Sequence, residues 1–501
     1  MDRARISEAL RRIVGHGGLV ESAEGRLVYE CDALAWVKSP PDFVVLPLST
    51  AEVARVARLC WDEGLSLTPR GSGTGLSGGA MPARGGVVVG LNRMNRILEV
   101  DLPNRLAVVE AGVINIGLSR ALEPQGFHFA PDPSSQFVSS IGGNVAENSG
   151  GAHCLKYGVT VNHVLGLTLV LADGTVLEVG GRTRDVPGYD VAGIFTGSEG
   201  TLGLATEVIV RLTPNAEAVK TVLAIFHSLE VAGEAVSAII ARGIIPAAME
   251  MIDRHVIRAI EDGVGAGYPR DAEAVLLIEL DGPRAEVEAE AVEVEATCRA
   301  AGALDLRVAR SDAERMLLWK GRKEAAGAMG RLTPEYYLHD MTVPRSKLPA
   351  LLKEIDAIGA RHGVLIANVF HAGDGNLHPL VGFDSRRPGD MARALDAGAE
   401  ILKACVAAGG CLSGEHGIGC EKSGFMTLIY DEADLDAMKR VRAAFDPRGL
   451  CNPDKIFPAP GAKVGFDFAE QLLAAAGAGR GGEATGPPAA PAEASAVPGR
   501  R

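Results

Sequence analysis

No run of about 18 apolar residues occurs in this chain, so no membrane-spanning helix is expected. The opening segment MDRARISEALRRIV lacks the apolar core and small-residue cleavage site of a secretory signal. Positive charge is not in excess. Against 50 Lys and Arg stand 63 Asp and Glu, a net charge of −13, which argues against nucleic acid as the main partner. That acidity is spread over helix-like segments, where it serves solubility. No CxxC pair occurs among the eight cysteines (31, 60, 154, 298, 405, 411, 420, 451), so the chain should build neither an iron–sulfur cluster nor a zinc knuckle of its own. Scattered thiols of this kind fit a reducing cytoplasm. No internal repeat of fixed period is present.

What is present is length, apolar residues and glycine. A chain of 501 residues suggests two or three domains, and 47% hydrophobic content is ample for large cores. The 62 glycines and 27 prolines place many positions in turns. Residues 1–37 read as an N-terminal helical segment and connector. From Asp42 strands and helices alternate. FVVLPLS is a strand, Ser49 with Glu52 three residues on starts a helix, Gly64 stops it, and LSLTP is a strand. GLTLVLADGTVLEVGG is a hairpin turning at Asp173-Gly174. Glycine density falls near Pro214. Beyond it LEVAGEAVSAIIARG, RAEVEAEAVEVEATCRAAG and KLPALLKEIDAIGARHG read as helices, and AVLLIEL, YYLHDMTV and GVLIANVF as strands. The expected fold class is α+β in two domains, 38–215 and 216–458. The Ala/Gly/Pro-rich tail 459–501 is expected to be disordered.

Two stretches look built for a large polar ligand. PRGSGTGLSGGA (69–80) holds five glycines directly after a strand, so its backbone N–H groups can crowd around an anion. It is neither the Rossmann fingerprint nor a P-loop, because no strand-to-helix GxGxxG and no GK[ST] occurs there. PDPSSQFVSSIGGNVAENSGGAHCLKYGVT (131–160) is rich in hydroxyls, amides and glycine, yet Ile141, Val145, Leu155 and Tyr157 punctuate it. A third segment, FTGSEGTLG (195–203), closes the first domain.

HAGDGNLH (371–378) raises a different question. Gly373 and Gly375 permit a sharp reversal around Asp374, which returns His378 close to His371. Two imidazoles do not make a catalytic zinc site, which takes at least three protein ligands. Glu415, in SGEHGIG, is a candidate third, with His416 beside it to accept a proton. From the residues alone, a metal site and a tight turn flanked by surface histidines both stand open. Two nitrogens and one oxygen would suit iron(II) or manganese as well as zinc.

In their order and spacing the three glycine-rich segments resemble the FAD-binding domain of the vanillyl-alcohol oxidase/p-cresol methylhydroxylase flavoprotein superfamily. Within it the chain resembles the branch of D-2-hydroxy-acid (D-lactate) dehydrogenases and FAD-linked glycolate oxidase subunits. The resemblance spans about 40–458. It implies a p-cresol methylhydroxylase-type FAD-binding domain followed by an α+β substrate domain. FAD-binding positions would be Arg70, Gly71, Ser72, Gly73, Thr74, Gly75, Ser77 and Gly78 in the first loop. In the second they would be Pro131, Asp132, Ser135, Ser139, Gly142, Gly143, Asn144, Asn148 and Gly151. Glu199 and Gly200 follow, and Asn452, in FDPRGLCNPDKIFP, could reach the cofactor or only cap a turn. Many superfamily members attach FAD through a histidine in the first loop. Thr74 stands there in this chain, so FAD should be non-covalent unless Cys154 serves instead.

The resemblance also implies His371, His378 and Glu415 as ligands of a divalent metal, zinc first, and His416 as the base. Arg322, three after Trp319, matches a substrate arginine. Arg345 reads better as a surface charge at a helix start. The implied reaction is oxidation of a small (D-)2-hydroxy acid, glycolate or D-lactate, to the 2-oxo acid by hydride transfer to flavin N5. Members acting on larger dicarboxylates carry an Asn where this chain has Leu380, and a Lys where it has Leu338 and His339, which favours a short substrate. Glycolate oxidase relatives work with partner subunits, including an iron–sulfur one. That would leave the chain cytoplasmic or held at the inner membrane by its partners, with a homo-oligomer left open. Two other readings fit part of the chain: a flavin-free metal-dependent hydrolase, and a non-redox flavoprotein of the alkyl-glycerone-phosphate synthase type.

Overall fold

The computed structural model describes residues 2–183, 187–462 and 464–466. The expectation of a disordered tail falls, from residue 467 on, outside the described residues. Among the described residues no helix is long and apolar enough to cross a membrane, and all eight cysteines are free thiols.

The first half carries two main sheets, besides the two-stranded pairing of Phe127–His128 with Thr213–Pro214. Phe43–Val45, Val87–Gly90 and Leu67–Arg70 form a parallel sheet with Val87–Gly90 in the middle. Helices Arg3–Val14 and Thr50–Glu63 share its core through Ile6, Leu10, Val53 and Val56. The N-terminal segment is therefore part of that core and not an appendage to it. Ser49 accepts from the Glu52 N–H, and Gly64 ends the helix in the left-handed region, φ 66°, where a side chain is disfavoured. The second sheet is antiparallel, in the order Ile97–Asp101, Leu106–Glu110, Leu204–Arg211, Val164–Val170, Val176–Gly180. The hairpin expected at Asp173-Gly174 joins its last two strands. Segment 131–160, which carries no predicted element, folds partly into two short helices, Ile141–Glu147 and Cys154–Tyr157.

The second half is built on one antiparallel sheet. Asp305–Val308, Ala218–Phe226, Ala274–Gly282, Ala248–Asp253 and Ile366–His371 are hydrogen-bonded in that order. Pro379–Phe383 and Asn376–Leu377 continue it beyond Ile366–His371. YYLHDMTV is not one strand. Glu335–Leu338 pairs with Pro379–Phe383, Met341–Thr342 pairs with Asn376–Leu377, and His339-Asp340 forms the break between them. After helix Glu432–Phe445 the chain returns to the first half. The Leu67 N–H donates to Leu450 C=O, the Asn452 N–H donates to Leu67 C=O, and Cys451 is buried in the core of the parallel sheet.

Candidate active site

A cavity opens between the first and second glycine-rich segments. Thirteen of the expected FAD positions line it: Arg70, Gly71, Ser72, Gly73, Thr74 and Gly75 on one side, Ser135, Ser139, Gly142, Gly143 and Asn144 on another, with Glu199 and Gly200 closing it. Without side chains, the glycines leave backbone donors within reach of a polar ligand. Gly142 also lets its helix lie on Ala111; a Cβ there would come within 2.6 Å of the Ala111 methyl. The lining thus fits a long, polar, anionic cofactor.

Seven expected positions lie outside this lining. Ser77 C=O accepts from the Cys420 and Glu421 N–H groups, and Gly78 packs on Cys420. Pro131 C=O accepts from Asn115, and Asp132 pairs with His153 at 2.7 Å. Asn148 caps the Ile141–Glu147 helix with φ 54°, and Gly151 lies against Asp132. Asn452 donates to Gly79 C=O and Glu199 C=O, both at 2.7 Å, so it ties the cavity wall together from behind. Arg70 lines the cavity but spends its guanidinium on Cys31 C=O and Val28 C=O, at 2.7 and 3.3 Å. Ser140, Glu147 and Ser149 line the cavity without having been singled out in the sequence, where nothing separates them from their polar neighbours.

Glu415 and His416 line the same cavity, so the second expected site meets the first. His371 ends strand Ile366–His371. The reversal at 372–375 is fixed by Asp374, whose carboxylate accepts from the Asn376 N–H at 3.1 Å. The His371 and His378 rings then lie 5.2 Å apart, edge to face. Glu415 Oε1 is 3.3 Å from His371 Nε2 and 3.1 Å from His378 Nε2. These three donors converge within 4.8 Å of one another. The far side of each ring is also engaged: His371 Nδ1 faces Glu250 at 2.6 Å, and His378 Nδ1 faces His339 C=O at 3.3 Å. Rings held this way turn Nε2 toward Glu415, the arrangement a metal-binding histidine needs. The donor set fits a divalent ion.

The electrostatics are set by burial and by these neighbours. Burial works against the charge on Glu415, but His371 and His378 hold its carboxyl well below the usual range. His416 stacks on His378 with ring centres 5.1 Å apart, and burial pushes it down to about 4, so its imidazole is a free base at neutral pH.

Two further residues belong to this site that reading the sequence missed. Asp340, in the strand break, accepts through Oδ2 from Ser413 Oγ at 2.5 Å and from the N–H groups of Gly414, Glu415 and His416 at 2.9, 3.1 and 2.9 Å. Lys422, fully buried, donates to Asp340 C=O at 2.8 Å. Asp340 thereby holds the loop that carries Glu415 and His416. Glu250, fully buried, bridges His371 and Arg322, whose Nε and Nη2 lie 2.6 and 2.5 Å from its Oε2. The signal for Glu250 was a carboxylate in the middle of an apolar strand, AMEMID. Arg345, expected at a helix start, is there, with Nη1 donating to Gly373 C=O at 3.1 Å.

The 413–419 loop also meets the first domain. Gly417, at φ 86°, packs its Cα against Glu147 and Glu199, leaving no room for a Cβ. Glu199 accepts from the Ile418 and Gly419 N–H groups at 2.7 and 2.6 Å.

Comparison with known proteins shows the family. The family model described as FAD binding domain matches residues 41–180, and that of FAD linked oxidases, C-terminal domain, matches 215–456. The chain is 46% identical over 458 residues to a glycolate oxidase subunit GlcD of Escherichia coli K12, covering 91% of this chain and 92% of that one. It is 43% identical to a glycolate oxidase subunit GlcD of Bacillus subtilis, covering 90% and 96%. A D-lactate dehydrogenase of Anaerostipes hadrus is 32% identical, covering 84% and 90%. Among solved structures, p-cresol methylhydroxylase with substrate bound superposes with a TM-score of 0.76 at 16% identity, covering 90% and 96%. An alkyldihydroxyacetonephosphate synthase superposes at 0.71 and 19%, covering 90% and 84%. These two share the fold.

Proposed function

The chain belongs to the family of FAD-linked oxidases, and from that premise we propose that it oxidises a short 2-hydroxy acid, glycolate or D-lactate, to the 2-oxo acid. The observation that carries the reading is the meeting of two sites: Glu415 and His416 belong both to the wall of the cofactor cavity and to the His371–His378 cluster. A hydroxy acid in that corner faces the flavin slot on one side and the base and ligands on the other.

Arg322 is assigned the substrate carboxylate and His416 the hydroxyl proton. FAD, when bound, would supply the hydride acceptor for the C2 hydrogen at N5. His371, His378 and Glu415 would hold a divalent ion, zinc the first candidate, which would supply polarisation of the substrate hydroxyl. Because burial keeps His416 unprotonated, it is ready to take that proton without help from a higher pH. A short substrate is favoured because Leu380 and Leu338, packed together in the core, offer no charge to a second carboxylate.

FAD is proposed to be non-covalent, since Thr74 has no nucleophile of the kind that attaches flavin and Cys154 is outside the cavity lining. Acid precipitation should then leave the yellow colour in the supernatant; colour in the pellet would mean attachment. Electrons are proposed to leave through a partner protein, an iron–sulfur subunit being the first candidate, in line with relatives that are named as subunits.

The reaction is tested by anaerobic stopped-flow at the flavin band, with glycolate, D-lactate, L-lactate and D-2-hydroxyglutarate. A short acid should bleach the flavin quickly. His416→Ala should slow bleaching about 10²–10⁴-fold, the usual contribution of a general base. If no hydroxy acid bleaches the flavin, the assigned reaction is wrong while the family stands.

A further inference from the structure

Glu250 stands at a junction that nothing so far explains. It lies directly opposite His371 in adjacent antiparallel strands, so both side chains leave the sheet on one face. Its Oε1 faces His371 Nδ1 at 2.6 Å. Its Oε2 takes both Nε and Nη2 of Arg322, at 2.6 and 2.5 Å, so that Nη1 has no part in this contact. Glu250 is fully exclusive of solvent, and Arg322 is 8% exposed, so water cannot stand in for either contact.

We propose that Glu250 is a shared positioning residue that couples the metal site to the substrate-carboxylate site. A carboxylate offers acceptors only, so the His371 nitrogen that faces it must carry the proton, and Nε2 keeps its lone pair for a metal. The same carboxylate fixes the guanidinium plane of Arg322. One side chain therefore sets the tautomer of a ligand and the aim of a substrate contact. This rests on the proposed hydroxy-acid chemistry, and it adds that the two halves of the substrate site are built on one carboxylate.

An amide of the same size has one acceptor where the carboxylate has two, and both neighbours are donors. Glu250→Gln can satisfy His371 or Arg322, not both. The test is Zn²⁺ affinity, measured by competition with a chromophoric chelator on FAD-loaded, metal-stripped protein. E250Q should bind Zn²⁺ about 10–100-fold more weakly, the usual effect of removing a carboxylate behind a ligating histidine. The double variant E250Q/R322M should regain most of that loss, because the amide oxygen then has only His371 to serve. Its half-saturation for glycolate should stay high, since the guanidinium is gone. A purely structural role for Glu250 predicts no such rescue.

The proposal is overturned if E250Q binds Zn²⁺ like the wild type, or if the double variant binds no better than E250Q. If E250Q fails to fold, Glu250→Asp takes its place: its shorter stem reaches only one partner, and adding R322M should again restore Zn²⁺ binding. A wild-type protein without measurable Zn²⁺ affinity would overturn the metal reading itself, a result distinct from either of these.

Discussion

A buried carboxyl with little compensating charge keeps its proton, and Glu421 is such a group. It is 2% exposed, takes the Tyr337 hydroxyl at 2.6 Å, and burial pushes it up to about 7 although Lys422 is nearby. Between the ordinary glutamate value and about 7, the folded chain holds this proton while the unfolded chain has lost it. Stability from this group therefore declines as pH rises through that window and levels off above it, by roughly 3 kcal/mol at most. Glu421→Gln should remove that part of the decline. Urea midpoints at pH 5 and pH 8 should differ less in the variant than in the wild type; an equal difference would show that Glu421 titrates normally in the fold.

At the scale of an element, the 413–419 loop owes its shape to an acceptor outside it. Asp340 collects one hydroxyl and three consecutive N–H groups, and Lys422 covers it. Asp340→Ala would orphan those donors and leave buried Lys422 with Glu421 as its remaining carboxyl neighbour. We expect a loss of about 3–5 kcal/mol in denaturant unfolding, together with loss of flavin bleaching. Unchanged stability would mean that the loop holds itself. The same element shows what could be read in advance. The 371–378 reversal, the Ser49 cap and the Asp173-Gly174 turn were legible because their causes lie within a few residues. Asp340 was not: it sits in a stretch of strand-forming residues without Gly or Pro, and the break there is made by partners at 413–416 and 422. Glu250 escaped for the same reason, as its register partner His371 lies on a distant strand. Asn452, which could be read as a cofactor contact or a cap, and Asp132, read as a cofactor position, lie outside the cavity lining and hydrogen-bond to protein groups; motif matching cannot distinguish a residue facing the ligand from one bracing the wall.

Across the whole molecule, the two halves are fastened beside the site. His153, from the first half, lies between Asp132 at 2.7 Å and Glu279 at 3.3 Å. Glu279 in turn takes Thr221 at 2.9 Å and the Trp319 indole at 2.5 Å. Trp319 belongs to helix Asp312–Lys323, which also carries Arg322. Burial disfavours charge on His153, but the two carboxylates outweigh it and hold the ring protonated. His153→Leu should remove the cation that Asp132 and Glu279 share, leaving Glu279 with Arg315, at 3.6 Å, as its cation, and lower the melting temperature by several degrees, at about 2–4 °C per kcal/mol for a unit of this size. No shift in a thermal scan would show that the fastening lies elsewhere. The return of the chain to its beginning has a consequence for how the protein is made. Cys451 is buried in the parallel-sheet core, and Lys455 reaches Met81 C=O at 2.8 Å. On the ribosome the first half thus stays short of a strand neighbour and a wall brace until residues 450–455 have been added. Flavin loading should therefore be a late event that waits for their synthesis.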